Sequence, residues 1–264
     1  MVSDAPLSDR SVTVVGGGFG GLSTACYLAD AGAEVTLLEK NESMGGRAST
    51  LEADGFKFDM GPSWYLMPDV FERFFAHFDR EPSGYYELEH LDPHYKVFFK
   101  DGDVVELPRE TESAAEIFEE YEEDGGKKLR EYLDESEKSY EIAVENFIYK
   151  DRSRLRNWLD TSVMRAAPIG LSMLGTMEDH VHSRFENDKL RQILQYTLVF
   201  LGGSPKNTPA LYSLMSHVDF NLGVYYPDGG MTGVADSIAE MARELGVETH
   251  TDAEVKRVKD EGRL

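Results

Sequence analysis

Cysteine is almost missing from this 264-residue chain: Cys26 stands alone, so an intrachain disulfide and a thiolate metal cluster are both excluded. Basic residues are also scarce. Against 49 Asp and Glu there are 27 Lys and Arg, a formal net charge of −22, which repels phosphate backbones and leaves no nucleic-acid partner to expect. Long apolar runs are absent. The best stretch, residues 163–177, is interrupted by Arg165, Pro168, Gly170 and Gly175 and falls short of the ~20 apolar residues that span a bilayer. The first ten residues carry Asp4 and Asp9 and lack the basic start and apolar centre of a secretory signal, so a cytoplasmic location is expected.

What is present supports a packed core, since 41% of the residues are hydrophobic, enough for one large domain or two ordinary ones. The carboxylates are spread along the chain rather than gathered in a tail. That is the surface of a protein kept soluble in concentrated salt, where the Debye length shrinks to ~3 Å; an ordinary acidic enzyme is the alternative.

Two short apolar runs, Ser11–Val15 and residues 34–39 (EVTLLE), read as buried strands of a parallel sheet. Between them Leu22, Ala25, Cys26 and Ala29 repeat at helical spacing, and Gly32 is placed to end the helix. Cys26 lies on the apolar face, which predicts a packing role. Residues 54–100 mix aromatics with short alternating segments such as 96–99, followed by the turn Asp101-Gly102-Asp103, and predict strands in a second layer. Residues 110–150 are acidic and helical in period, broken at Gly125-Gly126, and residues 155–200 continue as helix with an apolar, Met-containing centre. Val234, Ile238, Met241 and Leu245 mark a further helix that Gly246 ends before a strand at 247–251, which would join the first sheet as its third parallel member. Residues 253–258 alternate as an antiparallel strand and 259–262 have turn chemistry, yet only Arg263 and Leu264 follow. A doubly wound sheet needs more strands than three, so the chain reads as the N-terminal part of a longer protein.

The chemistry is concentrated near the start. Gly16, Gly18 and Gly21 satisfy GxGxxG directly after a strand and at the opening of a helix, where free N–H groups and the helix dipole favour a pyrophosphate. Glu39 ends the second strand, placing a carboxylate to accept hydrogen bonds from ribose hydroxyls and to repel a 2′-phosphate. Met44-Gly45-Gly46-Arg47 then offers close backbone approach and one cation to a second stretch of diphosphate, which a plain NAD domain does not need. The turn Gly61-Pro62-Ser63-Trp64, after Asp59 and Met60, suits a flat ring. The set points to FAD.

These motifs resemble the FAD-dependent amine oxidase superfamily, and the segments FLGGS (200–204), TPALYS (208–213) and YYPDGGM (225–231), with residues 246–258, are similar to its carotenoid desaturase branch, the bacterial and archaeal phytoene desaturases. The resemblance runs along nearly the whole chain in order. It implies an α/β fold: a Rossmann-like FAD-binding domain with a glutathione-reductase-like doubly wound sheet, carrying an inserted α+β, largely helical substrate domain. The implied division is 1–100 for FAD and flavin-proximal segments, 101–225 for the insertion, and 226–264 for the return. By the same resemblance Gly16, Gly18, Phe19, Gly20, Gly21, Glu39, Lys40, Gly45, Gly46, Arg47, Gly61, Pro62, Ser63 and Trp64 would hold FAD, with Val255 meeting the adenine through its backbone. A further glycine-rich flavin motif that family members carry near their C-terminus is missing. The implied activity is desaturation of a carotenoid precursor such as phytoene, with a quinone or oxygen as electron acceptor and peripheral contact with the membrane. Open beside it are a later desaturase, an isomerase, a saturase, an amine oxidase, and a non-catalytic FAD-binding fragment.

No catalytic acid, base or nucleophile is assigned, and no metal site. His180 and His182 stand two apart and would point to different sides of a helix, and Ser216, His217 and Asp219 are too close in sequence to imply a triad. The stretch 163–177 is read as core, with a lipid tunnel or membrane contact as the functional alternative.

Overall fold

The computed structural model describes residues 7–144, 148–150 and 175–259. In chain order these form β1 (Ser11–Val15), α1 (Phe19–Asp30), β2 (Glu34–Leu38), β3 (Thr50–Ala53), β4 (Phe56–Asp59), α2 (Pro68–Ala76), β5 (Leu88–His90), β6 (Tyr95–Phe98), β7 (Val104–Leu107), α3 (Thr111–Tyr121) and α4 (Gly125–Ala143). There follow α5 (Met177–His182), α6 (Asp188–Gln195), a 3₁₀ helix at Tyr196–Leu201, α7 (Leu214–His217), a π-helical turn at Val218–Leu222, β8 (Tyr225–Pro227), α8 (Gly230–Glu244) and β9 (Glu248–His250). The chain divides into two compact units, Met1–Glu89 with Tyr225–Leu264, and His90–Val224.

The first unit is built on a parallel sheet in the order β1-β2-β9, with Val12 opposite Val35 and Leu37 opposite Thr249. The downstream strand therefore returns to the first sheet beside β2, as its helix-then-strand pattern predicts. One face is covered by α1 and α8, whose Leu22, Ala25, Cys26, Val234, Ala235, Ile238 and Ala242 pack with Val35 and Leu37 in a single apolar core. Small residues at facing positions let the two helices lie close to the sheet. β2 is buried at Val35 and Leu37, but β1 departs from the buried strand expected of it: Val12 and Val14 are half-buried and Val15 is 59% exposed. Among the described residues no strand lies along its other side, so nothing there takes up that edge.

The alternation at 253–258 does not become a strand. A strand exists only where a neighbour offers a row of N–H and C=O groups, and the described residues supply none here. Instead Asp252 and Ala253 donate their N–H groups to the carbonyls of Asn41 and Glu39 (2.9 and 2.8 Å), tying this segment to the loop after β2. A third correction falls in 54–100. β4, β5 and β6 are strands within that range, and β4 pairs antiparallel with β3, Thr50 opposite Asp59, but residues 68–76 form a helix. Pro68 occupies its first turn, where the missing N–H costs nothing, and Phe71, Phe74, Phe75 and Phe78 place aromatic rings on the core at helical spacing. Rings that favour strands by propensity are recruited here by packing.

The second unit opens on the hairpin β6–β7, Tyr95 opposite Leu107, closed by a turn in which Gly102 N–H donates to Phe99 C=O. Its core joins Val105 and Leu107 to Phe118, Leu129, Tyr132, Leu133, Phe185, Leu190 and Ile193. The helix break falls at Glu122–Asp124, and Gly125 and Gly126 begin α4 rather than interrupt it. Beyond α4 the helical reading of 155–200 covers α5, α6 and the 3₁₀ helix. Its part at 155–174, including the apolar stretch from 163, lies outside the described residues, as does the end of the turn expected at 259–262. Thr176 and Asn187 cap α5 and α6 with side-chain oxygens that accept N–H bonds. No helix among the described residues is long and apolar enough to cross a membrane.

Cys26 is fully buried on α1, as its place in the helical repeat predicts, and burial pushes its thiol up to about 12. A disulfide reagent at about pH 8 should therefore leave the folded protein unmodified and titrate one thiol after denaturation. Fast reaction in the folded state would place Cys26 at an accessible surface and break the packing assignment.

Candidate functional site

The turn between β1 and α1 is shaped by what surrounds each glycine. A Cβ on Gly21 would stand 1.9 Å from the Gly16 carbonyl oxygen, and one on Gly17 would stand 2.3 Å from the sulfur of Met44. Gly16 and Gly20 face open space, where a Cβ would meet nothing within 4 Å. The glycines thus divide into those that close the turn and those that leave its outer side clear. Gly18 occupies the N-cap position of α1 and brings no side chain to cap it, and no acidic residue stands in the first turn. The opening N–H groups of a twelve-residue helix are left for an anion.

Glu39 follows β2 directly and is only 4% exposed. One carboxylate oxygen accepts the Gly17 N–H at 2.6 Å and the other accepts the Asn41 N–H at 2.9 Å. Each oxygen keeps acceptor capacity beyond that one bond. The carboxylate is therefore bonded directly to the glycine turn, a link that spans 22 positions of sequence and sets its orientation before any ligand arrives.

The second glycine pair closes on the first. Gly45 N–H donates to Gly17 C=O at 2.8 Å, Gly18 and Gly45 form an isolated parallel bridge, and Gly45 holds φ at +114°. Arg47 is exposed beside them. Gly61 then packs on this element, since a Cβ there would lie 2.1 Å from the Arg47 carbonyl oxygen. One continuous backbone surface thus joins Gly16–Gly21, Glu39, Gly45–Arg47 and Gly61. Lys40, Pro62 and Ser63 are exposed near these segments in sequence, Phe19 and Trp64 are half-buried, and Phe19 meets Phe71 edge to face at 6.2 Å. Val255 is half-buried two residues beyond the Ala253–Glu39 backbone bond.

Two residues of this region carry no motif signal: Asn41 supplies the second N–H for Glu39, and Asp252, with φ of +53°, lines an open polar cavity of about 470 Å³ together with Asn41, Ser43, Gly46 and Thr50. Met44, read only as the start of the second glycine element, fills the space beneath Gly17. Asn41 and Asp252 act through backbone groups or backbone shape, which leave no pattern in side-chain identity.

The residues set aside by sequence go separate ways. Ser216 Oγ lies 3.3 Å from the Tyr132 hydroxyl, His217 Nδ1 faces the Asn221 amide at 2.9 Å, and Asp219 is bonded by Tyr95 and Tyr196. The bonds of these three side chains run to four different partners. His180 is held against Arg184 and the Tyr132 ring, while His182 is exposed.

With this geometry in place, comparison with known proteins is informative. A family model described as flavin containing amine oxidoreductase matches residues 19–263. A carotenoid 3,4-desaturase from Haloarcula japonica is 64% identical over 252 residues, 96% of this chain and 51% of its own length. A 4,4'-diapolycopene oxygenase from Methylomonas sp is 32% identical over 97% of this chain and 52% of its own, and a 4,4'-diapophytoene desaturase from Staphylococcus aureus is 32% identical over 94% and 49%. The chain spans about half the length of the curated relatives it matches. Among solved structures, putrescine oxidase bound to putrescine superposes with a TM-score of 0.57 at 16% identity, covering 92% of this chain and 51% of that one. An oxidoreductase from Methanosarcina mazei does so with the same values. At such identity the likeness is one of fold, and the α/β architecture with its helical second unit is the one expected from sequence.

Proposed function

The chain belongs to the family of flavin containing amine oxidoreductases, and from that membership we propose that the protein binds FAD and desaturates a carotenoid. The observation that carries the cofactor assignment is the buried Glu39 carboxylate bonded to the Gly17 N–H beside an uncapped helix N-terminus. In this reading the opening turn of α1 takes the diphosphate and Glu39 takes the ribose hydroxyls. Gly45, Gly46 and Arg47 serve the second stretch of diphosphate, with Lys40 alongside. Gly61, Pro62, Ser63 and Trp64 lie toward the flavin ring, and the backbone of Val255 toward the adenine. The residues fit the group: the glycines leave open space on the ligand side, and the cation and free N–H groups match two phosphates. When bound, FAD supplies a two-electron oxidant for C–H bonds.

The substrate assignment rests on the 64% identity to a carotenoid 3,4-desaturase. That name favours a later carotenoid over phytoene itself, so the leading substrate is a polyene that is already partly conjugated. The helical unit would serve this substrate, and a hydrocarbon asks few charged groups of it. A quinone or oxygen would take up the electrons, with the enzyme in the cytoplasm and in peripheral contact with the membrane. The net charge of −22 fits work in concentrated salt.

The test is reconstitution of the full-length protein with FAD in molar KCl, followed by incubation with carotenoid precursors in vesicles and a quinone. The expected result is a product with one further conjugated double bond, seen as a red-shifted polyene on chromatography. Peroxide release with small amines and no change in any polyene would overturn the substrate assignment.

A further inference from the structure

Asp219 has no part in the cofactor site, yet among the described residues it is the most completely buried carboxylate of the helical unit, 3% exposed on the π-helical turn that follows α7. Turns of this kind are kept where side-chain aim matters. The Tyr95 hydroxyl, from β6, donates to one carboxyl oxygen at 2.7 Å, and the Tyr196 hydroxyl, from the 3₁₀ helix, donates to the other at 3.3 Å. The two rings lie 4.8 Å apart. One carboxyl therefore gathers three elements that are 101 to 124 positions apart or separated by 23.

The 3₁₀ helix so held is apolar and outward-facing at its far end, where Val199 is 70% exposed and Phe200 and Leu201 about half. Thr197 Oγ1 on this helix, and Nε2 of Gln195 just before it, are buried without a hydrogen-bond partner among the described residues. The geometry points to a proton-operated latch: the segment Tyr196–Leu201 stays closed on the buried Asp219 carboxyl while that carboxyl holds its proton and opens to admit water when it ionises, with the Tyr95 and Tyr196 hydroxyls opposing the opening by bonding the carboxylate.

The direction follows from what surrounds the carboxyl. From β6 and the 3₁₀ helix it meets Tyr95 and Tyr196. On the preceding helix α7, His217 is turned to Asn221 and to the Tyr140 ring. Among the described residues no lysine or arginine pairs with it. Burial pushes its pKa up from 3.8 to about 7, and the two hydroxyl bonds pull the other way. A carboxyl that binds its proton more tightly inside than in water stabilises the closed form at low pH, and that contribution is lost between the two values as pH rises. Opening of the segment should grow roughly tenfold per pH unit from about pH 5 to about 7, then level off. The latch stands independently of the flavin and of any substrate.

The experiment is hydrogen exchange by mass spectrometry on the flavin-loaded full-length protein between about pH 5 and about 9, read as protection factors so that base catalysis of exchange is divided out. Peptides covering Tyr196–Leu201 and Val218–Leu222 should lose protection up to about pH 7 and plateau above it, while peptides from the nucleotide-binding unit keep theirs. Asp219→Asn should remove the pH step. Joint replacement Tyr95→Phe and Tyr196→Phe keeps the carboxyl but removes its donors, and should move the step to higher pH. Flat protection in the unmodified protein, or an unchanged step in Asp219→Asn, overturns the latch. If Asp219→Asn does not fold, a step left in place by the double tyrosine variant overturns it alone.

Discussion

Replacing Gly21 by Ala should weaken flavin retention about a hundredfold and destabilise the first unit. The added Cβ would lie 1.9 Å from the Gly16 carbonyl oxygen, well inside van der Waals contact, and the obstacle is backbone, which has no rotamer to yield. Relief requires α1 to move away from β1. That movement separates Leu22, Ala25 and Cys26 from Val35 and Leu37 and turns the helix N-terminus from the anion. Overpacking of this kind costs about 3 kcal/mol or more, roughly a hundredfold in a binding constant. Flavin-to-protein ratio after gel filtration, with thermal melting beside it, reads both effects. Full flavin content at an unchanged melting temperature would show that the turn is not built as described.

Glu39→Ala should weaken FAD while leaving FMN binding little changed. Removing the carboxylate leaves the Gly17 and Asn41 N–H groups without their acceptor in a position only 4% exposed, and it removes the acceptor proposed for the ribose. Hydrogen bonds to a charged group are worth about 1.5–3 kcal/mol each, so a ten- to hundredfold loss in FAD affinity is expected. Glu39→Gln should recover only part of this, because one carboxylate oxygen becomes an NH₂ facing a backbone donor. FMN lacks the adenosine, so titration of both flavins separates two roles. A loss for FAD alone identifies the ribose contact. An equal loss for both would mean that Glu39 only braces the glycine turn, and equal affinity in variant and parent would remove it from the site.

The sequence by itself determined the parts of this protein whose physics is local. A strand, GxGxxG, a helix with Leu22, Ala25 and Cys26 on one face, and a carboxylate at the end of the next strand form a pattern within about forty residues, and each step constrains the next through steric and hydrogen-bond rules that act over a few positions. The helix at Gly230–Glu244 and its following strand were legible for the same reason. Residues 253–258 show the limit: their alternation describes a willingness to pair, and pairing depends on a partner that the pattern does not contain. The helix at Pro68–Ala76 shows another, because aromatic residues fit either element until a core selects one.

Only the tertiary structure decided how the motifs meet. Glu39 is oriented by an N–H 22 positions away, Gly61 is required because Arg47 presents its carbonyl there, and Met44 takes its place under Gly17. The Asp219 cluster is the clearest case. Tyr95, Tyr196 and Asp219 are unremarkable where they stand in the chain, and folding brings them within hydrogen-bond reach, with the carboxyl buried and the two rings half-buried. A carboxyl's affinity for its proton is set by that surrounding dielectric and those donors, quantities that exist only once distant segments have packed.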